Sequence, residues 1–129
     1  MDALSLLKLK PTDKIIDLGA GDGKIVLAFS RLGYEAYGVE INPFLFIIAN
    51  LRLLIWGKNR KSRVYFKDLN TLDLRAFDVI YCYLGTKEVE KLAPRFKRLK
   101  EGARIVSNTF KIKDLKPKAQ IGHVYLYEL

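Results

Sequence analysis

The chain has 129 residues, half of them apolar, which suits one compact domain over 1–129 and leaves too little for a second core. Its formal charge of +9 points to an acidic partner, nucleic acid or an anionic protein surface, or else to a lysine-rich solubilising exterior. A lone cysteine, Cys82, excludes an internal disulfide framework and fits a reducing, cytoplasmic setting.

The segment 1–13 precedes the first strand. It has no basic start and too short an apolar run for a secretory leader. Residues 2–9 predict one or two helical turns, closed by Lys10-Pro11-Thr12-Asp13. A strand at 14–18 runs into Asp17-Leu-Gly-Ala-Gly-Asp-Gly23 and then a helix from Lys24 to about Leu32, with Gly33 at its end. The next strand, Glu35–Ile41, is followed by Asn42-Pro43, a capping residue and a proline suited to the first helical position. That helix is expected to reach Trp56. It is apolar on nearly every face, so it reads as a core helix, with an interface helix as the alternative. At 13 residues, with Asn50 and Arg52 inside, the run Phe44–Trp56 is too short to span a membrane.

A basic loop, Lys58–Arg63, leads to a strand at Val64–Asp68 and a connector to Arg75. Phe77–Leu84 is a nearly continuous apolar run, as in a parallel strand buried on both faces. Gly85-Thr86 opens a helix with Val89, Leu92, Phe96 and Leu99 on one face; Pro94 should bend or divide it, and Gly102 should end it. A strand at Ala103–Phe110, a loop at Lys111–Lys118 and a last strand at His123–Leu129 complete the pattern. Alternating strands and helices with short connections predict a doubly wound α/β sheet.

In such a sheet a ligand lies beyond the carboxyl ends of the strands. The glycine run places Gly19, Ala20, Gly21 and Gly23 at the end of the first strand, where backbone can approach a ligand closely. Its glycine spacing is not that of the dinucleotide turn, because Lys24 stands where that turn needs glycine. Asp17 would repel a pyrophosphate but suits the ammonium of a bound amino-acid moiety. D-x-G-x-G-x-G resembles the first motif of the S-adenosylmethionine (SAM) methyltransferases; a plain tight turn is the alternative. Glu40 ends the second strand 19 residues after Gly21, about the spacing at which an acid meets ribose hydroxyls, or it is an ordinary exposed acid. Ile41 could pack on an adenine face. Asp68 could accept from an adenine amino group, with the Leu69 N–H on a ring nitrogen; the alternative is that Asp68 caps the connector. At the end of the fourth strand, Tyr83 could line an acceptor channel or pack under a helix. The [Asp/Asn/Ser]-Pro-Pro-aromatic run that enzymes methylating nucleobase amines carry there is absent.

With these residues together, the chain resembles a family of small SAM-dependent methyltransferases that contains protein-lysine N-methyltransferases, archaeal ones of broad specificity and mitochondrial, membrane-anchored ones. The resemblance runs from about Leu9 to Leu129. It rests on Ile15–Val26, Gly38-Val-Glu-Ile-Asn-Pro43, Lys67-Asp-Leu69, Tyr83-Leu84 and Glu101-Gly-Ala-Arg-Ile-Val-Ser107. It implies a Rossmann-like sheet, SAM as cofactor with S-adenosyl-L-homocysteine as product, and a lysine-bearing protein as acceptor. Asp17, Gly19, Gly21, Glu40 and Asp68 would be cofactor contacts, with Ser107-Asn108 at the site's edge. The family's Y/F-V-P-[ST] segment before the first strand, which covers the cofactor, is not found ahead of Lys14, so either the start is lost or misplaced or the site is more open than usual. The family's membrane anchor is likewise not found. A lysine is only about 0.04% neutral at pH 7, and no residue stands out as its base; His123 reads as a strand residue. RNA or small-molecule methylation, with phosphates held by the loops 58–63 and 111–118, is the second reading. A SAM-binding module without activity is the third. The sequence leaves the oligomeric state open.

Overall fold

The computed structural model describes residues 7–129. Seven strands form one sheet in the order β3-β2-β1-β4-β5-β7-β6. The strands are β1 (Lys14–Leu18), β2 (Glu35–Glu40), β3 (Arg63–Phe66), β4 (Val79–Cys82), β5 (Arg104–Asn108), β6 (Ala119–Ile121) and β7 (Val124–Glu128). The first five are parallel; β7 runs antiparallel to β5 and forms a hairpin with β6. Helices α1 (Lys24–Arg31) and α2 (Pro43–Trp56) lie on one face with Ile15, Val26, Phe29, Ala49 and Leu53. Helix α3 (Thr86–Phe96) covers the other with Ile16, Ile80, Val89, Leu92 and Phe96. All four residues of β4 are buried, as its unbroken apolar run predicts.

Several boundaries follow from single residues. Asn42 caps α2, its Oδ1 accepting from the N–H groups of Phe44 (3.0 Å) and Leu45 (3.2 Å), and Pro43 follows at the first helical position. Gly33 ends α1 at positive φ. Pro94 does not divide α3: it lies in the last turn, two residues before the end, where only one helical hydrogen bond is forfeited. Gly102 is not that helix's stop. It sits in the turn before β5 at positive φ, and its N–H donates to the Leu129 carbonyl.

The expected final strand proves to be a hairpin. Gly122 and His123 form its turn, so His123 is a turn residue, and the Thr109 N–H donates to its carbonyl. The connector after β3 contains two single 3-10 turns, Leu69–Thr71 and Leu74–Ala76, capped by Asp68 and Asp73. The expected turns at residues 2–9 lie largely outside the described residues. Among the described residues, no helix is long and apolar enough to cross a membrane.

A buried ion pair ties the chain's start to the sheet. Arg104 on β5 donates to Asp13 Oδ2 at 2.7 Å and to the Leu7 carbonyl at 2.6 Å, while the Lys10 N–H reaches the same carboxylate at 2.8 Å. Both charged side chains are nearly enclosed.

The largest departure from expectation is α2. Only Ala49 and Leu53 are fully buried, and most of its large apolar side chains face outward. A helix apolar on every face had implied core on every side; the sheet covers one side alone.

Candidate cofactor site

Strand order reverses between β1 and β4, with β2 and β3 laid outward on one side and β5 on the other. The carboxyl ends at this switch point carry the glycine run and Tyr83-Leu84. Gly19, Gly21 and Gly23 all hold positive φ, so the turn needs glycine for its conformation as well as for room. At Gly23 a Cβ would stand 2.8 Å from the Ala49 Cβ, which is how closely α2 presses on the loop.

Glu40 is bound into this turn. One carboxylate oxygen accepts from the Gly21 N–H at 2.7 Å, the other from Ile41 (3.1 Å) and Asn42 (3.0 Å). It is half-buried and fixed in place, not a free surface acid. Two oxygens with three bonds leave acceptor capacity on the open side, where hydroxyl donors would fit. Asp68 caps the turn after β3 through Asn70, as the plainer reading had it, and also lines the same cavity as Glu40.

That cavity, about 210 Å³, brings together Gly19, Glu40, Ile41, Asp68, Leu69 and Leu84. Five of the expected contact residues thus meet from three strand ends. Val39 and Lys67, present in the sequence analysis only within motifs, also line it, and Glu88 was not expected there. Glu88 lies in the first turn of α3 with an oxygen close over Gly85, and its position follows only from where α3 starts. Gly38 was seen only as part of a motif. Here β2 passes under the turn so closely that a Cβ at 38 would meet the Ala20 Cβ at 2.5 Å.

Asp17 lies beneath the turn, 4 % exposed. Burial, reinforced by the nearby Glu40 charge, pushes its carboxyl up to about 8. An acid so placed gains most from a cationic group brought against it. Next to it in the sheet, Tyr81 accepts a hydrogen bond from Asn108 Nδ2 at 3.2 Å, which joins the end of β5 to the site. Ser107 is turned away, donating to the Phe110 carbonyl at 2.6 Å. Tyr83, the residue after β4, is 65 % exposed, so it lies open at the strand end and is not packed under α3. Cys82 is fully buried, its thiol pushed up to about 12 by burial, and is no nucleophile.

The basic side chains of both loops are exposed, and the loops differ in position and pairing. Lys58–Arg63 precedes β3 and lies at the opposite end of the sheet from its own chain's cavity. In the second loop Ile112 is buried, Asp114 pairs with Lys97, and Lys118 pairs with Glu128. Among the described residues no cluster of His, Cys, Asp and Glu could hold a metal ion.

The fold agrees with that of related proteins. The family described as the ANTKMT methyltransferase domain matches residues 17–119. The chain belongs to this methyltransferase family. A protein-lysine N-methyltransferase of Saccharolobus islandicus is 31% identical over 121 residues, covering 92% of this chain and 75% of that protein. The adenine nucleotide translocase lysine N-methyltransferase of Mus musculus is 35% identical over 123 residues, 94% of this chain and 53% of that one. The chain therefore spans about half the length of several curated relatives it matches. Among solved structures, an RNA methyltransferase from Salinibacter ruber in complex with S-adenosyl-L-homocysteine superposes with a TM-score of 0.91 at 29% identity. It covers 98% of this chain and 87% of that one.

Proposed function

We propose that this chain transfers a methyl group from S-adenosyl-L-methionine to the side-chain amine of a lysine in a protein substrate. The observation that carries the reading is the meeting of the glycine turn, Glu40 and Asp68 in one cavity at the switch point, above a buried Asp17. The residues fit the cofactor. Glu40 suits two ribose hydroxyls, Asp68 and the Leu69 N–H suit the adenine edge, and Ile41, 68 % exposed, offers an apolar face to the ring. Asp17 suits the ammonium of the methionine moiety. When bound, the cofactor supplies an electrophilic methyl on a sulfonium.

The rest belongs to the chain. Tyr83, exposed just after the end of β4, offers a ring face and hydroxyl to an incoming amine. Glu40, Asp68 and Glu88 outnumber Lys67 around the cavity, a net negative lining in an otherwise basic protein that favours a lysine over a phosphate. The amine must arrive neutral, and desolvation beside a cation promotes loss of its proton to water. The protein-lysine relatives, archaeal and animal, support this acceptor class.

RNA is the second reading, favoured by the close superposition on the Salinibacter ruber protein. The test is incubation with methyl-labelled cofactor and a host lysate, followed by separate protease and nuclease digestion. Label released by protease and recovered as methyl-lysine is expected. Label released by nuclease would move the acceptor to RNA. Tight cofactor binding with no label in either fraction would make the chain a binding module.

A further inference from the structure

We propose that α2 is a dimer interface, its outward stripe packing antiparallel against the same stripe of a second copy of this chain. Phe44, Ile47, Ile48, Leu51, Leu54 and Ile55 recur at helical spacing along one side of the 14-residue helix and are 41–77 % exposed. With Trp56 they present on the order of 800 Å² of apolar surface, beyond what monomers normally leave bare and about what each partner contributes to a stable interface.

Charge selects the occupant. The stripe itself carries none, since Arg52, the one charged residue of α2, turns aside to Asp22 at 3.6 Å. Nucleic acid has nothing to bind on such a face, whereas two identical uncharged stripes meet without opposing like charges. The helix ends differ. Its N-terminus starts beside Glu40, and its C-terminus runs into Lys58, Arg60, Lys61 and Arg63. A parallel pair would set the two basic loops together, whereas an antiparallel pair keeps them at opposite ends. The β3 edge offers a poorer joint, because the Asn50 side-chain amide already engages both the N–H (3.0 Å) and the carbonyl (2.8 Å) of Val64. In the antiparallel register Phe44 lies beside Ile55 of the partner subunit and Ile48 beside Leu51 of the partner subunit.

Light scattering on the eluting protein should give twice the mass of one chain. Leu51→Glu with Leu54→Glu should raise the dissociation constant at least about 100-fold while leaving the monomer folded, since both side chains are exposed. Phe44→Cys mixed with Ile55→Cys should form an intermolecular disulfide that neither forms alone; buried Cys82 does not interfere. A protein that stays monomeric up to about 100 μM overturns the proposal. So does self-cross-linking of Phe44→Cys, which would mean a parallel pair. Flotation of a monomeric protein with phosphatidylglycerol vesicles, lost in the double glutamate variant, would overturn it in favour of a lipid surface.

Discussion

Glu40 joins the glycine turn to the proposed ribose contact, and the buried Asp17 makes cation binding there a matter of pH. Glu40→Ala removes an acceptor for Gly21 as well as for a cofactor. It should weaken S-adenosylmethionine by roughly 1–3 kcal/mol, measured by titration calorimetry; an unchanged dissociation constant would remove Glu40 from the site. Asp17 behaves differently, because its carboxyl is raised to about 8 in the fold against 3.8 in an open chain. Between these values the unfolded chain has released the proton and the fold retains it. The residue therefore lowers the stability of the empty protein progressively from about pH 4 to 8 and no further above that. An arriving ammonium favours the ionised form, so cofactor affinity should strengthen from about pH 6 to 8 with proton release. Calorimetry in two buffers of different ionisation heat measures that release, and Asp17→Asn should abolish it. Most of this site was legible in the chain because each contact sits at a strand end, where a short pattern fixes its place. Glu88 was not, because its presence in the cavity depends on the docking of α3.

Helix α2 shows how a sequence pattern can be read correctly and its surroundings misjudged. Its expected start at Asn42-Pro43 and its expected end at Trp56 both hold. Its burial was not legible, since periodicity reports which faces are apolar and not how many neighbours exist to cover them. The same helix gives a direct contrast between adjacent leucines, Leu53 at 7 % exposure and Leu54 at 70 %. Leu53→Ala should cost about 2–5 kcal/mol of protomer stability in urea unfolding. Leu54→Ala, examined in dilute solution, should stay within about 0.5 kcal/mol. Comparable losses from both would mean that the stripe packs within its own chain. The missed β6 has a related cause: Ala119-Gln-Ile121 is too short to show a period, and only its pairing with β7 makes it a strand.

At the scale of the whole molecule, alternating elements predicted the doubly wound sheet, and the switch point between β1 and β4 followed from it. The antiparallel return of β7 did not follow, because a lysine-rich loop carries no signal for strand direction. The clamp from Arg104 to Asp13 and Leu7 was also out of reach, as its ends lie 91 and 97 positions apart. That separation has a consequence for rates. Closing so long a loop is entropically costly, so the clamp should form after the folding barrier and break before the unfolding one. Arg104→Met leaves the Asp13 charge enclosed without its partner and should cost about 3–5 kcal/mol. In stopped-flow measurements nearly all of that loss should appear as faster unfolding, with the refolding rate almost unchanged. The ion pair then governs how long the folded protein lasts, and has little bearing on how quickly it is made.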